Sequence, residues 1–566
     1  MKQNFLTRHF TPQLGLASLG LLTGTQAAAQ QDQRPNIIFI MVDDLGFSDI
    51  GSYGASDIQT PNLDRLANEG IRFRQFYNNS ISAPTRASLI TGQYQHNAGM
   101  GFFERDLGDP HYGDHLRTDV ATFGEVLQQA GYTTLLSGKW NVGAHEGQRP
   151  WERGFDHYFG FLGAASLYYT PPQSAQAQAT RRGGNAPRRE GAPNGGNANR
   201  GRSPFGVQLF KDGEPYRLEE GKYLTQEIGS HAVEFIGEAS KKDNPFFLYL
   251  AFNAPHWPLQ ALPEDIAKYK GVYDGGWDSL RTLRYENAKR LGVVRPNQEL
   301  TRQDTLVSPW SSQSVIERAF WAKRQEVYAA MVDRVDQEVG RVIDKLKEVG
   351  RDQNTIIFFI SDNGAQGGGE RGLARQIATG EVGTPGSYHQ QNSNWSQAGD
   401  SPFRNYKSTP YEGGIASPFI AWYPAQIEGG RIVDGVGHII DVAPTFYDLA
   451  KAKYPKKLNG QKILPLAGKS LVPVLTGKTD VVNRGEPLFW EWAGNKAVLD
   501  GKWKYVTSDP DYKDELYDIE NDRAENYNVA AEHPEIVAQL KQKFEQWAKK
   551  NNVKTPYPSN WPHFRW

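Results

Sequence analysis

The chain has 566 residues, enough for one large domain with a smaller companion or for three modest ones. Lys and Arg total 63 against 64 Asp and Glu, so nothing marks a general nucleic-acid or membrane-surface binder, and any preference for anions must be local. There is no cysteine, which excludes disulfides, a thiolate metal site and a Cys nucleophile.

Residues 1–29 read as a secretory signal. Lys2 and Arg8 form a positive start, Leu14 to Leu22 a short apolar stretch, and Ala27-Ala28-Ala29 a small-residue cleavage site. The apolar stretch is too short to cross a bilayer, and no Cys follows it for lipidation. The expectation is an exported protein, periplasmic or secreted, with no membrane anchor. Asn36 to Val42 is a continuous apolar run, the pattern of a strand buried on both faces of a parallel sheet, and it ends in Asp43-Asp44. Pro61 to Glu69 reads as a helix with Thr60 as N-cap. Thr122-Phe123-Gly124-Glu125 is a capping box opening a helix to about Ala130. Tyr132 to Leu136 reads as a strand leading into Ser137-Gly138-Lys139-Trp140.

Residues 171–204 are rich in Pro, Gly, Asn, Gln, Ala and Arg and read as a low-complexity surface insertion. Thr225 to Glu238 is helical. Phe246 to Phe252 is a buried strand ending in Asn253-Ala254-Pro255-His256. Glu317 to Val349 is a long helix with the apolar stripe Val327, Met331, Val335, Val339, Val342 and Leu346. Thr355 to Ile360 is a buried strand ending in Ser361-Asp362-Asn363-Gly364. Residues 364–400 read as a long loop, and Pro418 to Trp422 as another strand. From about residue 470 the pattern changes to short antiparallel strands, Leu488 to Trp492, Lys496 to Leu499 and Trp503 to Thr507, and an amphipathic helix after Pro534. The expected fold is therefore α/β, a large mostly parallel sheet flanked by helices over residues 30–469, with a smaller C-terminal α+β subdomain over 470–566.

In open α/β sheets, ligands bind beyond the carboxyl ends of the strands. Three of the runs end there in Asp43-Asp44, Pro255-His256 and Asp362-Asn363. The first and last pairs supply four oxygen ligands, a set that suits Ca²⁺ or Mg²⁺ and not Zn²⁺. Taken singly, each pair is also an ordinary strand-end turn cap. The stretch Ser82-Ala-Pro-Thr-Arg86-Ala-Ser-Leu-Ile-Thr-Gly92 is a turn running into a helix, with Pro84 in the first turn and Gly92 as stop. It places Ser82 at a helix N-terminus, where backbone N–H groups and the dipole favour an anion, with Arg86 one turn on.

The stretch beginning at Ser82 resembles the signature of the type I sulfatases of the alkaline phosphatase superfamily. The resemblance covers nearly the whole chain after the signal. It extends to Val42-Asp43-Asp44-Leu45-Gly46, Ser137-Gly138-Lys139-Trp140, Ala254-Pro255-His256-Trp257-Pro258, Ser361-Asp362-Asn363-Gly364, Lys407 ahead of Thr409-Pro410-Tyr411-Glu412-Gly413-Gly414, and Glu515-Leu516-Tyr517-Asp518. It implies an alkaline phosphatase-like fold and hydrolysis of an aryl sulfate or sulfated glycan. Ser82 would be oxidised to formylglycine by a maturase, and its hydrate would be the nucleophile. Asp43, Asp44, Ser82, Asp362 and Asn363 would hold the metal, Ca²⁺ before Mg²⁺. Arg86 would assist the nucleophile, Lys139 and Lys407 would bind sulfate, and His256 would protonate the leaving group. The family usually reads Gly-Lys-Trp-His, where this chain has Asn141; an amide is no base at neutral pH, and His145 is the nearest replacement. Tyr168, Tyr169 and Trp257 are candidates to stack on a substrate ring. The alternatives on the same residues are a phosphomonoesterase or phosphodiesterase with an unmodified Ser82, and a degenerate protein that only binds sulfated ligands.

Overall fold

The computed structural model describes residues 34–170, 207–302, 307–367, 380–458, 460–509 and 511–563. The signal read at 1–29 and the insertion read at 171–204 lie outside the described residues. The organising element is a ten-stranded sheet. Its strands are β1 (Asn36–Asp43), β2 (Ile71–Phe73), β3 (Thr133–Lys139), β4 (His157–Phe161), β5 (Leu209–Lys211), β6 (Glu214–Tyr216), β7 (Phe246–Pro255), β8 (Thr355–Ser361), β9 (Phe419–Trp422) and β10 (Arg431–Val433). Across the sheet they run β10-β2-β9-β8-β1-β7-β3-β4-β5-β6.

The centre, β8-β1-β7-β3-β4, is parallel. The strand read at Pro418 to Trp422 runs antiparallel to β8. On β1, Ile38, Ile40 and Val42 pack into the core on one face, while Ile37, Phe39 and Met41 pack into the core on the other. That two-sided burial is what an unbroken apolar run requires, since successive side chains point to opposite faces. Helices α3 (Leu224–Ala239) and α4 (Val315–Glu348) cover the first face. Helices α1 (Ser82–Thr91) and α2 (Phe123–Gln129) cover the second. The apolar stripe of α4 is buried from Val327 to Leu346.

Several local readings need correction. Thr60 precedes the helix Pro61–Glu69, but its hydroxyl does not cap it; it accepts from Gly51 N–H at 2.9 Å and donates to Asp64. The stretch 364–400 is not all loop: Ser393–Gly399 is a helix whose side chains are buried, with the Asn392 carboxamide accepting from Trp395 N–H. β3 continues through Gly138 to Lys139 because Gly138 lets the strand close on β7; a Cβ there would sit 1.9 Å from the Ala251 carbonyl oxygen, at φ +121.

A second sheet of four antiparallel strands, β11 (Leu488–Trp492), β12 (Asn495–Asp500), β13 (Trp503–Thr507) and β14 (Glu515–Asp518), carries the amphipathic helix α5 (Pro534–Lys550). Glu515–Asp518 is a strand that propensity alone had not suggested. Buried charges join this sheet to the rest. Lys504 ion-pairs with Glu412 and Glu525 at 2.8 Å each, Arg523 Nε donates to Glu412 at 2.7 Å, and Tyr77 donates to Glu412 at 3.0 Å.

Candidate active site

Four adjacent strands, β8, β1, β7 and β3, end on the same side of the sheet. Their carboxyl ends deliver Asp362-Asn363, Asp43-Asp44, His256 and Lys139. Asp44 follows the strand at φ 67, a left-handed conformation that turns its carboxylate away from the line of β1. Its N–H donates to Asp362 Oδ1 at 3.2 Å, and Leu45 N–H donates to Ser361 Oγ at 3.0 Å, which fixes one acidic strand end against the other.

α1 brings Ser82 to this rim, with Gly92 closing the helix in the left-handed conformation as expected of a C-terminal glycine. Ser82 Oγ lies 3.1 Å from Asp43 Oδ1 and 3.3 Å from Asn363 Oδ1. Arg86 is fully buried; its Nη2 donates to Asp362 Oδ2 at 3.0 Å and its Nη1 to the Tyr249 hydroxyl at 3.1 Å. Lys139 Nζ donates to Asp43 Oδ2 at 2.6 Å, and Lys407 Nζ donates to Asp44 Oδ1, which also accepts from Asn363 Nδ2 at 2.7 Å. His256 Nδ1 lies 2.7 Å from the Trp257 carbonyl oxygen, an acceptor only, so Nδ1 carries a hydrogen. Its Nε2, 3.6 Å from Asp44 Oδ2, is therefore the atom at which a proton can come and go. All nine expected residues are buried and share this one cluster.

Three carboxylates (Asp43, Asp44, Asp362) face three cations (Arg86, Lys139, Lys407). Burial pushes the Asp43 carboxyl up, but Lys139, His256 and Arg86 together hold it below the usual carboxylate range. At Asp362, burial and the neighbouring Asp43 charge prevail and raise the carboxyl. Burial lowers the Lys139 ammonium despite Asp43, with Arg86 and Lys407 adding to the effect. Lys407 goes the other way, because Asp44, Asp43 and Asp362 outweigh its burial. Burial also lowers His256, against the pull of Asp44 and Asp43.

The donor set fits a hard divalent cation. Asp43, Asp44 and His256 present ligand atoms within 4.8 Å of one another. Asp44 Oδ2 is buried and accepts no hydrogen bond, which is costly for a carboxylate oxygen unless a cation completes it.

The model of the family described as Sulfatase matches residues 35–452, most of the chain. The chain belongs to the sulfatase family. A second model, N-sulphoglucosamine sulphohydrolase C-terminal, matches residues 405–550. An arylsulfatase of Klebsiella aerogenes is 32% identical over 477 residues, 82% of this chain and 96% of the relative. An uncharacterised sulfatase of Schizosaccharomyces pombe is 33% identical over 537 residues, 90% and 92% of the two chains. Among solved structures, Ps i-CgsB in complex with k-i-k-neocarrahexaose superposes with a TM-score of 0.66 at 28% identity, covering 94% of this chain and 95% of that one. This sulfatase is thus a sulfuric ester hydrolase of the type I class, in the alkaline phosphatase superfamily.

The structure adds to the sequence reading at Asn141 and departs from it at His145 and at Tyr168 and Tyr169. Asn141 is buried at φ 61, and its Nδ2 donates to Glu104 Oε1 at 2.5 Å. Glu104 was missed because it lies in no motif and at no strand end. Burial, against the pull of Lys139, pushes its carboxyl up to about 7, with Asn141 and Ala164 N–H favouring the ion and Asp114 opposing it. His145 does not join the cluster; it is half exposed and lies 3.1 Å from Asp114. Tyr168 and Tyr169 are buried and offer no stacking platform. The Tyr168 hydroxyl instead lies 2.8 Å from the Asn253 carbonyl oxygen and 2.7 Å from that of His256, bracing the turn that carries His256. Trp257, half buried, stands with its ring 5.0 Å from His256 and 5.2 Å from Tyr388, edge-on to the latter.

Proposed function

We propose that this sulfatase is of the serine type and that Ser82 is converted to formylglycine by a dedicated maturase. On this reading Asp43, Asp44, Asp362 and Asn363, with residue 82, hold Ca²⁺, with Mg²⁺ the weaker alternative. The observation that carries the proposal is the placement of Ser82 Oγ between Asp43 Oδ1 and Asn363 Oδ1, at the N-terminus of a helix whose Arg86 is clamped on Asp362. The bound cation would supply Lewis-acid activation, and the aldehyde hydrate a nucleophile with an exit route that serine lacks.

The chain's own residues do the rest. Arg86 holds the Asp362 carboxylate in place and brings positive charge beneath residue 82. Lys139 and Lys407, each resting on one acid of the Asp43-Asp44 pair, can turn their ammoniums to the sulfuryl oxygens and neutralise the charge that builds there. His256, with Nδ1 fixed on its neighbour's carbonyl, delivers a proton from Nε2 to the departing oxygen. Trp257, beside His256, and Tyr388 form an aromatic corner that favours a ring-bearing leaving group, aryl or sugar. The name of the Klebsiella relative and the oligosaccharide bound to Ps i-CgsB support the same pair of substrate classes.

In the same proposal residues 30–469 form the catalytic part and 470–566 the smaller subdomain, and the protein is exported after removal of residues 1–29. No helix of the described residues is long and apolar enough to cross a membrane. The deciding experiment is mass spectrometry of the tryptic peptide around residue 82 in active enzyme. Formylglycine shows as a mass about 2 Da below serine. Full activity with an unaltered serine would overturn the reading.

A further inference from the structure

A second group of ligating side chains lies outside the cluster just described. The chain segment carrying Asp114 and His115 is pinned by Gly113 N–H to the Gly99 carbonyl at 2.7 Å and by Arg117 N–H to the Ala98 carbonyl at 2.9 Å. The segment carrying His145 follows β3, which ends at Lys139. The two are joined by Leu116 N–H to the Val142 carbonyl at 3.1 Å. This framework presents three side chains to one point. His115 Nδ1 lies 2.8 Å from Asp114 Oδ1, and His145 Nε2 lies 3.1 Å from Asp114 Oδ2. The two imidazoles stand edge to face, with centroids 5.5 Å apart and planes at 81°. One ligand atom from each of the three residues falls within 4.8 Å of the others.

We propose that Asp114, His115 and His145 form a second metal site, specific for a transition dication of the Zn²⁺, Co²⁺ or Ni²⁺ class. Two imidazole nitrogens and one carboxylate oxygen are borderline donors that select such ions, whereas Ca²⁺ prefers an all-oxygen set. Ligand bonds of about 2.0–2.1 Å in a tetrahedron space the donor atoms roughly 3.3 Å apart. The contacts to Asp114 are already within half an ångström of that, so an ion can replace the bridging hydrogens with small rotations of the side chains. The His115 and His145 side chains are 45% and 43% exposed and Asp114 21%, so an ion can load from solution and keep open positions for water or an anionic ligand. Loading would tie the Asp114–His115 segment to the one that follows Asn141. It would also place positive charge beside Asp114, whose own charge is felt by Glu104 at the edge of the candidate active site.

The test is metal titration of the full-length, matured protein in millimolar Ca²⁺, which keeps the oxygen-ligand site filled. Calorimetry with Zn²⁺ measures stoichiometry, and Co²⁺ reports ligand geometry through its visible absorption. The expected result is one further equivalent of Zn²⁺ and an intense tetrahedral or five-coordinate Co²⁺ spectrum. Asp114→Asn, His115→Ala and His145→Ala should each weaken binding on the order of 100-fold, while Asp43→Asn leaves this equivalent intact. His145→Gln, a milder change at an exposed side chain, serves if an alanine variant folds poorly. Absence of the extra equivalent in wild type, or its survival in the His115 and His145 variants, would overturn the proposal. Neither outcome bears on whether Ser82 is converted.

Discussion

Glu104 offers a prediction whose size follows from the structure. Its carboxyl lies against the Asn141 amide, largely out of water, and burial lifts it from the ordinary 4.5 to about 7. The fold therefore binds this proton more tightly than the unfolded chain does. Stability from this group is full below pH 4.5 and is lost as pH rises through 7. At 1.36 kcal/mol per pH unit the span from 4.5 to 7 is worth roughly 3 kcal/mol, and the group's partial exposure trims this to about 2 kcal/mol. Glu104→Gln keeps an acceptor for Asn141 Nδ2 and removes the ionisation. The variant should match wild type at pH 4.5 and exceed it by about 2 kcal/mol at pH 8. Denaturant unfolding of both proteins at half-unit pH steps, at fixed ionic strength and Ca²⁺, measures the difference. A gap that stays flat from pH 4.5 to 8.5 would refute the upward shift of the Glu104 carboxyl.

Two further outcomes follow from the site. His256→Gln should cost about 10²- to 10⁴-fold on sulfate esters of alcohols, which need a proton at the departing oxygen, and far less on nitrophenyl sulfate; equal losses on both would remove His256 from that role. Arg86→Ala leaves Asp362 buried without its guanidinium and should cost about 3–5 kcal/mol at pH 8. That loss should shrink toward pH 5, because burial already raises the Asp362 carboxyl and a proton can replace the lost cation; a pH-independent loss in denaturant unfolding would contradict this.

The central strands were legible because a strand buried on both faces leaves no polar residue to blur its limits, so the acids at the end of β1 stood out. The helix from Ser82 was equally plain, bounded by Pro84 and Gly92. Other features depend on tertiary contacts that no local pattern encodes. Glu104 meets Asn141 across 37 residues of chain, and neither neighbourhood announces the pairing. The helix Ser393–Gly399 is built of Ser, Asn, Gln, Ala and Gly around one Trp, a composition that reads as loop, and it is held by burial and by Asn392. The direction of β9 was hidden because an apolar run is the same read either way. The tyrosines at 168 and 169 misled for the opposite reason. An aromatic pair near a site is as good a brace as a platform, and only the carbonyls 2.8 and 2.7 Å from the Tyr168 hydroxyl decide which.

The salt-linked contact between the C-terminal sheet and the segment around Glu412 bears on how such a protein can be recombined. Glu412 lies five residues beyond Lys407, and it answers to Lys504 and Arg523 from the C-terminal part and to Tyr77 from a short strand, Phe76–Tyr77, outside the large sheet. Arg404 and Tyr411, on either side of Lys407, both reach Glu515 as well. The segment that carries Lys407 is thus gripped by the C-terminal sheet at several points. That sheet is no interchangeable cassette. A chimera joined near residue 470 inherits Glu412 from one parent and its counter-ions from the other, so a productive crossover has to carry Tyr77, Glu412, Lys504, Arg523 and Glu525 as one inheritable set.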